Sequence, residues 1–137
     1  MQSTLLESLT GFVGFCKYFV AALGFMLVFC QMYLWITPYD EMKLIREGKT
    51  APAISYGGAL IGFVLPLYSA ITHSVGFIDM LLWAVIAMVM QFTVFGIVRI
   101  LFKDLVREIE NDHCAAATLL AFFSIAIGLL NAASMTY

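Results

Sequence analysis

The chain has 137 residues, of which 63% are hydrophobic and 12% are charged, and its formal net charge at pH 7 is −2. A water-soluble domain is nearer half apolar and a quarter charged, so a soluble core of this size could not hide so much apolar surface. The composition therefore excludes an ordinary soluble domain, makes lipid the solvent for much of the chain, and gives no support for nucleic-acid binding.

Four apolar stretches follow one another along the chain, at about 10–35, 50–71, 77–102 and 112–135. Each is long enough for an α-helix to cross the hydrocarbon core, which takes ~20 mostly apolar residues. Backbone groups in lipid must be satisfied within the segment, and this favours helices over open strands. The sequence therefore predicts an all-α integral membrane protein with four transmembrane helices in one membrane domain, 1–137.

The N-terminus does not have the form of a cleavable signal peptide. Residues 1–10 include Glu7 but no Lys or Arg, and the apolar run that follows continues to Trp35. A signal peptide has a basic start and a shorter apolar run. We therefore expect the first stretch to remain as a membrane span.

The first connection, which follows span one, predicts a short helix. Thr37 is a candidate cap, Pro38 fits the first helical position and Gly48 is expected to end the helix. The expected apolar face consists of Tyr39, Met42 and Ile45. Thr50 or Asp112 can cap the span that follows each connection.

Basic residues concentrate in two of the three connections, which predicts the orientation of the chain. Cytoplasmic loops carry the excess of Lys and Arg in membrane proteins. Both of these connections are therefore expected in the cytoplasm, and both termini on the periplasmic side of a bacterial membrane. The residues are Lys43, Arg46 and Lys49 after span one, and Arg99, Lys103 and Arg107 around the end of span three.

The chain also resembles two copies of one unit, at approximately 10–73 and 77–137, offset by 64 positions. Each unit would contain a span, a charged connecting helix and a second span. Two-span copies share one orientation, so the sequence predicts parallel repeats related by an axis along the membrane normal. The matched pairs include Asp40 with Asp104, Lys43 with Arg107, Ile45 with Ile109, Ile61 with Ile125 and Leu65 with Leu129.

Several stretches resemble a bacterial inner-membrane family known as domain of unknown function 350. They are ITPYDEMKLIREG at 36–48, GGALIGF at 57–63, Pro66-Leu67 and GLLNAASMTY at 128–137. The resemblance implies an inner-membrane protein with several spans and no established activity. Relatives are often encoded beside phage-shock-type membrane-coat proteins and amide-ligase-like enzymes, which implies a cytoplasmic membrane-coat or envelope-stress partner. Where the family leads us to expect a glycine turn in the second copy, this chain has Glu110-Asn111-Asp112-His113.

Lys17 is the main candidate for intramembrane chemistry, because it lies about seven residues, or ~10 Å, into the predicted first span. A lysine at mid-span costs ~2.5–3.5 kcal/mol on insertion scales and is usually paired or functional. The alternatives are snorkelling to the outer headgroups, a structural pair, and a solute or ion site. The polar residues expected at similar depth are Asp79, Asn131, Ser69 and His73.

Small residues four positions apart predict close helix packing on spans two and four. Gly58 and Gly62 form one such pair, and Ser124 and Gly128 form the other. The pattern does not say whether the close approach occurs within one chain or between chains. With so little interior to bury polar groups, a homo-oligomer is expected.

No motif predicts catalysis, a cofactor or a metal. Cys16, Cys30 and Cys114 lack a metal or redox spacing, and one His with one Asp is too little for a zinc site. Phosphate loops and nucleophile elbows are also missing from the sequence. An intramembrane enzyme is therefore the least favoured of three functions.

The favoured function is a non-enzymatic assembly or anchoring component of the membrane, linked to envelope maintenance. It would recruit a cytoplasmic partner through the charged connections, although solvated helix faces explain the same charges. The alternative is a small oligomeric channel or transporter for an ion or a polyamine-like solute. The candidate docking residues are Asp40, Lys43, Arg46, Asp104 and Arg107.

Overall fold

The computed structural model of the protein describes residues 1–37 and 40–135, and all the regular structure in these ranges is helical. Four of the helices are long and apolar enough to cross a membrane, which confirms the predicted all-α class. These four are α1, α3, α4 and α6, and α2 and α5 are short. The helices are α1 (Gln2–Ile36), α2 (Glu41–Arg46), α3 (Thr50–His73), α4 (Phe77–Leu101), α5 (Leu105–Glu110) and α6 (Cys114–Ser134).

The centre of the bundle is the pair α3 and α6, which run parallel in close contact. Gly58 lies against Ala121, Gly62 against Ser124, and Ser69 Oγ donates to the Ala132 carbonyl oxygen at 2.9 Å. The contacting positions advance together along both helices, which fixes the parallel direction. The predicted small residues therefore form the tightest contact of the fold.

Helix α4 packs antiparallel to α6 and is tied to it by two amide side chains. Gln91 Nε2 donates to the Ser124 carbonyl oxygen at 3.1 Å, and Asn131 Nδ2 donates to the Ala87 carbonyl oxygen at 3.4 Å. Each side chain donates to a backbone carbonyl oxygen of the other helix. Polar side chains commonly join membrane helices in this way.

Helix α1 attaches to the bundle through aromatic side chains near its C-terminal end. Phe29 and Tyr33 are its buried residues, and the Phe29 ring stacks on Phe63 with centroids 4.6 Å apart. Arg99 of α4 fastens the same end, because its Nη1 donates to the Ile36 carbonyl oxygen at 3.0 Å. The rest of α1 is largely exposed.

The first connection differs from the prediction in three residues. Thr37 does not cap α2 but ends α1, where its Oγ1 donates to the Tyr33 carbonyl oxygen at 3.1 Å. Asp40 is the cap, since its carboxylate accepts the Lys43 N–H at 3.2 Å. Because α2 therefore starts at Glu41, the glutamate turns inward and Met42 is 39% exposed instead of lying on the apolar face. The predicted roles of Pro38 and Tyr39 lie outside the described residues.

The turns before α3 and α6 both contain a residue with a left-handed backbone, Gly48 at φ 85° and Asp112 at φ 63°. Asp112 therefore occupies the position where a second glycine turn was expected, and Asp is among the residues that tolerate this conformation best. Its Oδ1 accepts the Ala51 N–H at 2.9 Å. The prediction that Asp112 caps α6 is wrong: the left-handed turn directs its carboxylate to the start of α3.

Helix α1 begins at Gln2, eight positions before the predicted span, and this changes the position of Lys17. Its Nζ lies 4.3 Å from the centroid of the Phe77 ring, and Tyr18 packs edge-on against the same ring. Phe77 is the first residue of α4. Lys17 is therefore level with the end of the bundle instead of ~10 Å inside it, and residues 2–16 extend beyond that end.

Candidate functional site

The polar residues predicted at one depth separate into two groups. Ser69 and His73 lie together on α3, with the Ser69 Oγ 3.3 Å from His73 Nδ1. Ser69 also bonds to the carbonyl oxygen of Ala132, the residue after Asn131, whose own side chain donates to Ala87 of α4. Ser69 and His73 therefore lie at the C-terminal end of α3, where its contact with α6 ends.

Lys17 and Asp79 make other contacts, near the start of α4, and no ion pair joins these two described residues. The Lys17 side chain is exposed and lies over the Phe77 ring, a cation–π contact. Asp79 Oδ2 accepts the Val75 N–H at 3.0 Å, which stabilises the turn before α4. In the described chain, these contacts do not join Lys17 and Asp79 to the other three predicted residues, Ser69, His73 and Asn131.

The predicted packing residues are brought together within one chain. A Cβ added to Gly58 would overlap Ala121, and one added to Gly128 would overlap the backbone of Gly62. The two helices can approach this closely because glycine carries only a hydrogen atom where other residues carry a side chain. Because this face is already occupied by α6, self-association through Gly58 and Gly62 is not available to the folded chain.

A narrow crevice lies between α1, α4 and α6, and the sequence analysis did not single it out. Its free space is about 10 Å³, room for about one water molecule. Gln91, only 5% exposed, lines it, and its Oε1 accepts no hydrogen bond from the described residues. Five of the eleven residues that line it are aromatic: Phe29, Tyr33, Phe92, Phe95 and Phe123.

Glu41 is a second buried polar residue that the pattern did not single out. Its side chain is fully buried where α2 meets α3, and it acts electrostatically on Tyr56, which lies beside Cys30. The sequence does contain a pattern that bears on Glu41, because a cap at Asp40 places Glu41 at the first helical position of α2. The corresponding position 64 residues later is Leu105, which is also buried.

The charged connections lie side by side at one end of the bundle. One groove is lined by Asp40, Lys43 and Glu47 of the first connection together with Glu110 of the second. A neighbouring groove is also lined by Glu110, together with Arg99, Lys103 and Arg107. We call this surface the connection face. It runs from α2 to α5, and the predicted docking residues Arg46 and Asp104 are exposed in the same two connections but line neither groove.

Comparison with known proteins gives a consistent result. A family model described as Domain of Unknown Function (DUF350) matches residues 6–135. The UPF0719 inner membrane protein YjfL of Escherichia coli strain K12 is 35% identical over 133 residues, which cover 97% of this chain and 98% of the relative. The UPF0719 transmembrane protein YshE of Bacillus subtilis strain 168 is 25% identical over 126 residues, covering 90% and 93% of the two chains. No solved structure matches the chain.

Proposed function

The chain belongs to the DUF350 family, and from this premise we propose that it is a bacterial inner-membrane protein that anchors a cytoplasmic partner through its connection face. The partner would be a membrane-coat protein concerned with envelope maintenance. The printed names of the relatives place them in membranes and assign them no activity. The proposal therefore depends on the surface itself.

The observation that carries the proposal is the continuity of the connection face. Charged side chains from two connections far apart in sequence border one groove, and Glu110 belongs both to this groove and to a neighbouring one lined by basic residues of α4 and the second connection. Mixed charges of this kind fix the register of a protein partner more than its affinity. The connection face is also attached to the bundle, because Ile109 of α5 is fully buried and the Asp112 carboxylate accepts a hydrogen bond from Ala51 of α3.

The geometry gives less support to a channel or transporter within one chain. The crevice beside Gln91 has room for about one water molecule, and most of its lining residues are apolar. Lys17, the charge around which a solute site would form, lies at the end of the bundle against Phe77. Anchoring requires none of these interior groups.

We also infer that the chain is a tandem repeat. Helices α2 and α5 have the same length and start 64 positions apart, as do the starts of α3 and α6. Four backbone hydrogen bonds around α2 recur around α5, with both partners shifted by 64 positions. For example, Lys49 N–H donates to Leu44 O, and His113 N–H donates to Glu108 O. The parallel contact of α3 with α6 fits an axis along the membrane normal.

We propose that the connection face is cytoplasmic and that both termini are periplasmic. Lys43, Arg46, Lys49, Arg99, Lys103 and Arg107 all belong to the end of the bundle that carries this face. Reporter fusions at Gly48 are expected to be active in the cytoplasm, and fusions after Gly76 in the periplasm. A cytoplasmic signal after Gly76 would contradict the orientation, and with it the proposed partner.

Reversing charge on the connection face is expected to release the partner. In vesicles that contain the full chain with this face outward, the wild type should bind a membrane-coat protein from the same organism in a sedimentation assay. The double variant Lys43→Glu, Arg107→Glu should lower the bound fraction about tenfold or more, because like charges across an interface cost several kcal/mol. The matched control is Glu7→Lys, a reversed charge at the opposite end of the molecule, which should bind like the wild type. Binding by the double variant equal to that of the wild type, or no binding by the wild type, would contradict the anchoring proposal.

A further inference from the structure

The N-terminal part of α1 projects beyond the other three long helices. Lys17 and Tyr18 contact Phe77, the first residue of α4, so residues 2–16 continue past this end by about 22 Å. Helices α3 and α4 are already ~36 Å long, which exceeds the ~30 Å hydrocarbon core. The bilayer core is therefore spanned without residues 2–16.

The projecting segment is nevertheless apolar on one side. Leu5, Leu9 and Phe12 are each more than 60% exposed, and nothing in the described chain lies within 4 Å of a Cβ placed on Gly11. The other side is polar, with Ser3, Thr4, Glu7, Ser8 and Thr10. A helix that is amphipathic outside the hydrocarbon core needs an apolar partner for its apolar side.

The spacing of the apolar side indicates what that partner is. Leu5, Leu9, Phe12, Cys16 and Phe19 are separated by four, three, four and three positions, and Leu23 continues the series. This is the seven-residue repeat of a two-stranded coiled coil, in which such side chains pack into holes on a second helix. We call these six residues the α1 seam.

We propose that a second copy of this chain packs along the α1 seam, so that two parallel α1 helices pair above and into the membrane. Two copies in one membrane have the same orientation, so their α1 helices are parallel. A two-fold axis along the membrane normal would bring each seam residue beside its own equivalent, as in an isologous interface. The only charge of the segment, Glu7, lies on the polar side and opposes no like charge across the seam.

The outer part of the seam is exposed, and its inner part contacts its own bundle only at the edge. Helix α1 buries Phe29 and Tyr33 most deeply, both beyond the seam towards the C-terminal end. Phe19 and Leu23 border a groove with α3 and remain 52% and 39% exposed. Lys17 is held over Phe77 of its own chain, which keeps the two ammonium groups away from the helix pair. The proposal is independent of the connection face, which lies at the other end of the molecule.

The native Cys16 makes the test direct, because it belongs to the seam. In full-length protein carrying Cys30→Ser and Cys114→Ser, oxidation in membranes with copper phenanthroline is expected to give a disulfide-linked dimer. The control also replaces Cys16 by Ser and introduces Gly14→Cys, a cysteine on the opposite side of the same helix. It should give less than about a tenth of the cross-linked dimer.

A second measurement keeps the result decisive if a cysteine variant folds poorly. Photobleaching of fluorescently labelled wild-type chain at low density in vesicles should show two-step events, and Phe12→Ser should convert most of them to single steps. Equal cross-linking from Cys16 and from the cysteine at position 14 would mean random collision and would overturn the seam. Single steps for the wild type, or a dimer unaffected by Phe12→Ser, would overturn it as well.

Discussion

Replacing Gly62 by alanine is expected to lower the free energy of unfolding by about 1–3 kcal/mol, the usual cost of forcing extra atoms into a packed interior. A Cβ at this position would meet the Ser124 carbonyl oxygen and would lie 2.7 Å from Gln91 Nε2. The carbonyl belongs to the backbone of α6, so no side-chain rotation relieves the overlap. Helices α3 and α6 would have to separate, and thermal unfolding in lipid nanodiscs measures the loss.

Gly57→Ala is the matched control, because it places the same methyl group on the same helix. Nothing lies within 4 Å of a Cβ at Gly57. Alanine is also the better helix former by about 1 kcal/mol, so the stability should be unchanged or raised. Gly62→Ala should therefore lower the melting temperature, whereas Gly57→Ala should not. A similar loss in both would show that α3 and α6 are not in backbone contact.

The glycine pattern shows how far sequence reasoning extends for this fold. The spacing of Gly58 with Gly62 and of Ser124 with Gly128 predicts two faces that allow close approach. It does not say that the two faces meet each other, because every small-residue face is compatible with every other. The partner is decided by the arrangement of all four long helices, which no local pattern contains.

The cap at Asp112 shows a different limit. An acidic residue just before an apolar stretch predicts a cap for that stretch, and the pattern is local. The actual acceptor contact spans 61 positions, from Asp112 back to Ala51. It depends on one left-handed residue, which turns the carboxylate away from its own helix. Sequence reasoning recognises that such a turn is tolerated by Asp but not which way it faces.

Lys17 lies nearer the end of the bundle than the sequence predicts, because hydropathy locates the apolar part of a helix and not its end. Ser3, Thr4 and Glu7 lower the hydropathy before residue 10, so the predicted span begins late. None of these residues interrupts a helix, and α1 continues through them from Gln2. The position of Phe77 on another helix, which only the tertiary structure gives, then fixes where the bundle ends.

Replacing Phe29 by alanine is expected to loosen α1 from the rest of the bundle. Phe29 is 2% exposed, and its ring stacks on Phe63 of α3 and on Phe92 of α4, with centroids 4.6 Å and 4.9 Å apart. Removing a buried phenylalanine leaves a cavity and costs about 3–5 kcal/mol in soluble cores. We expect roughly 2–4 kcal/mol here, because lipid solvates the exposed ring better than water does.

The loss should fall on α1 because Tyr33 would be its one remaining buried residue. Cys30 follows Phe29 directly and lies beside Tyr56 of α3, so its reaction with a maleimide reports whether α1 has left α3. In a background of Cys16→Ser and Cys114→Ser, Phe29→Ala should speed labelling at least tenfold. Phe15→Ala removes a ring that is 60% exposed on the same helix and should leave both the labelling rate and the melting temperature near those of the background. Unchanged labelling in Phe29→Ala would mean that α1 is held by contacts other than the aromatic stack. In that case the connection face and Arg99, which grips the last turn of α1 through the Ile36 carbonyl oxygen, would become the main attachment.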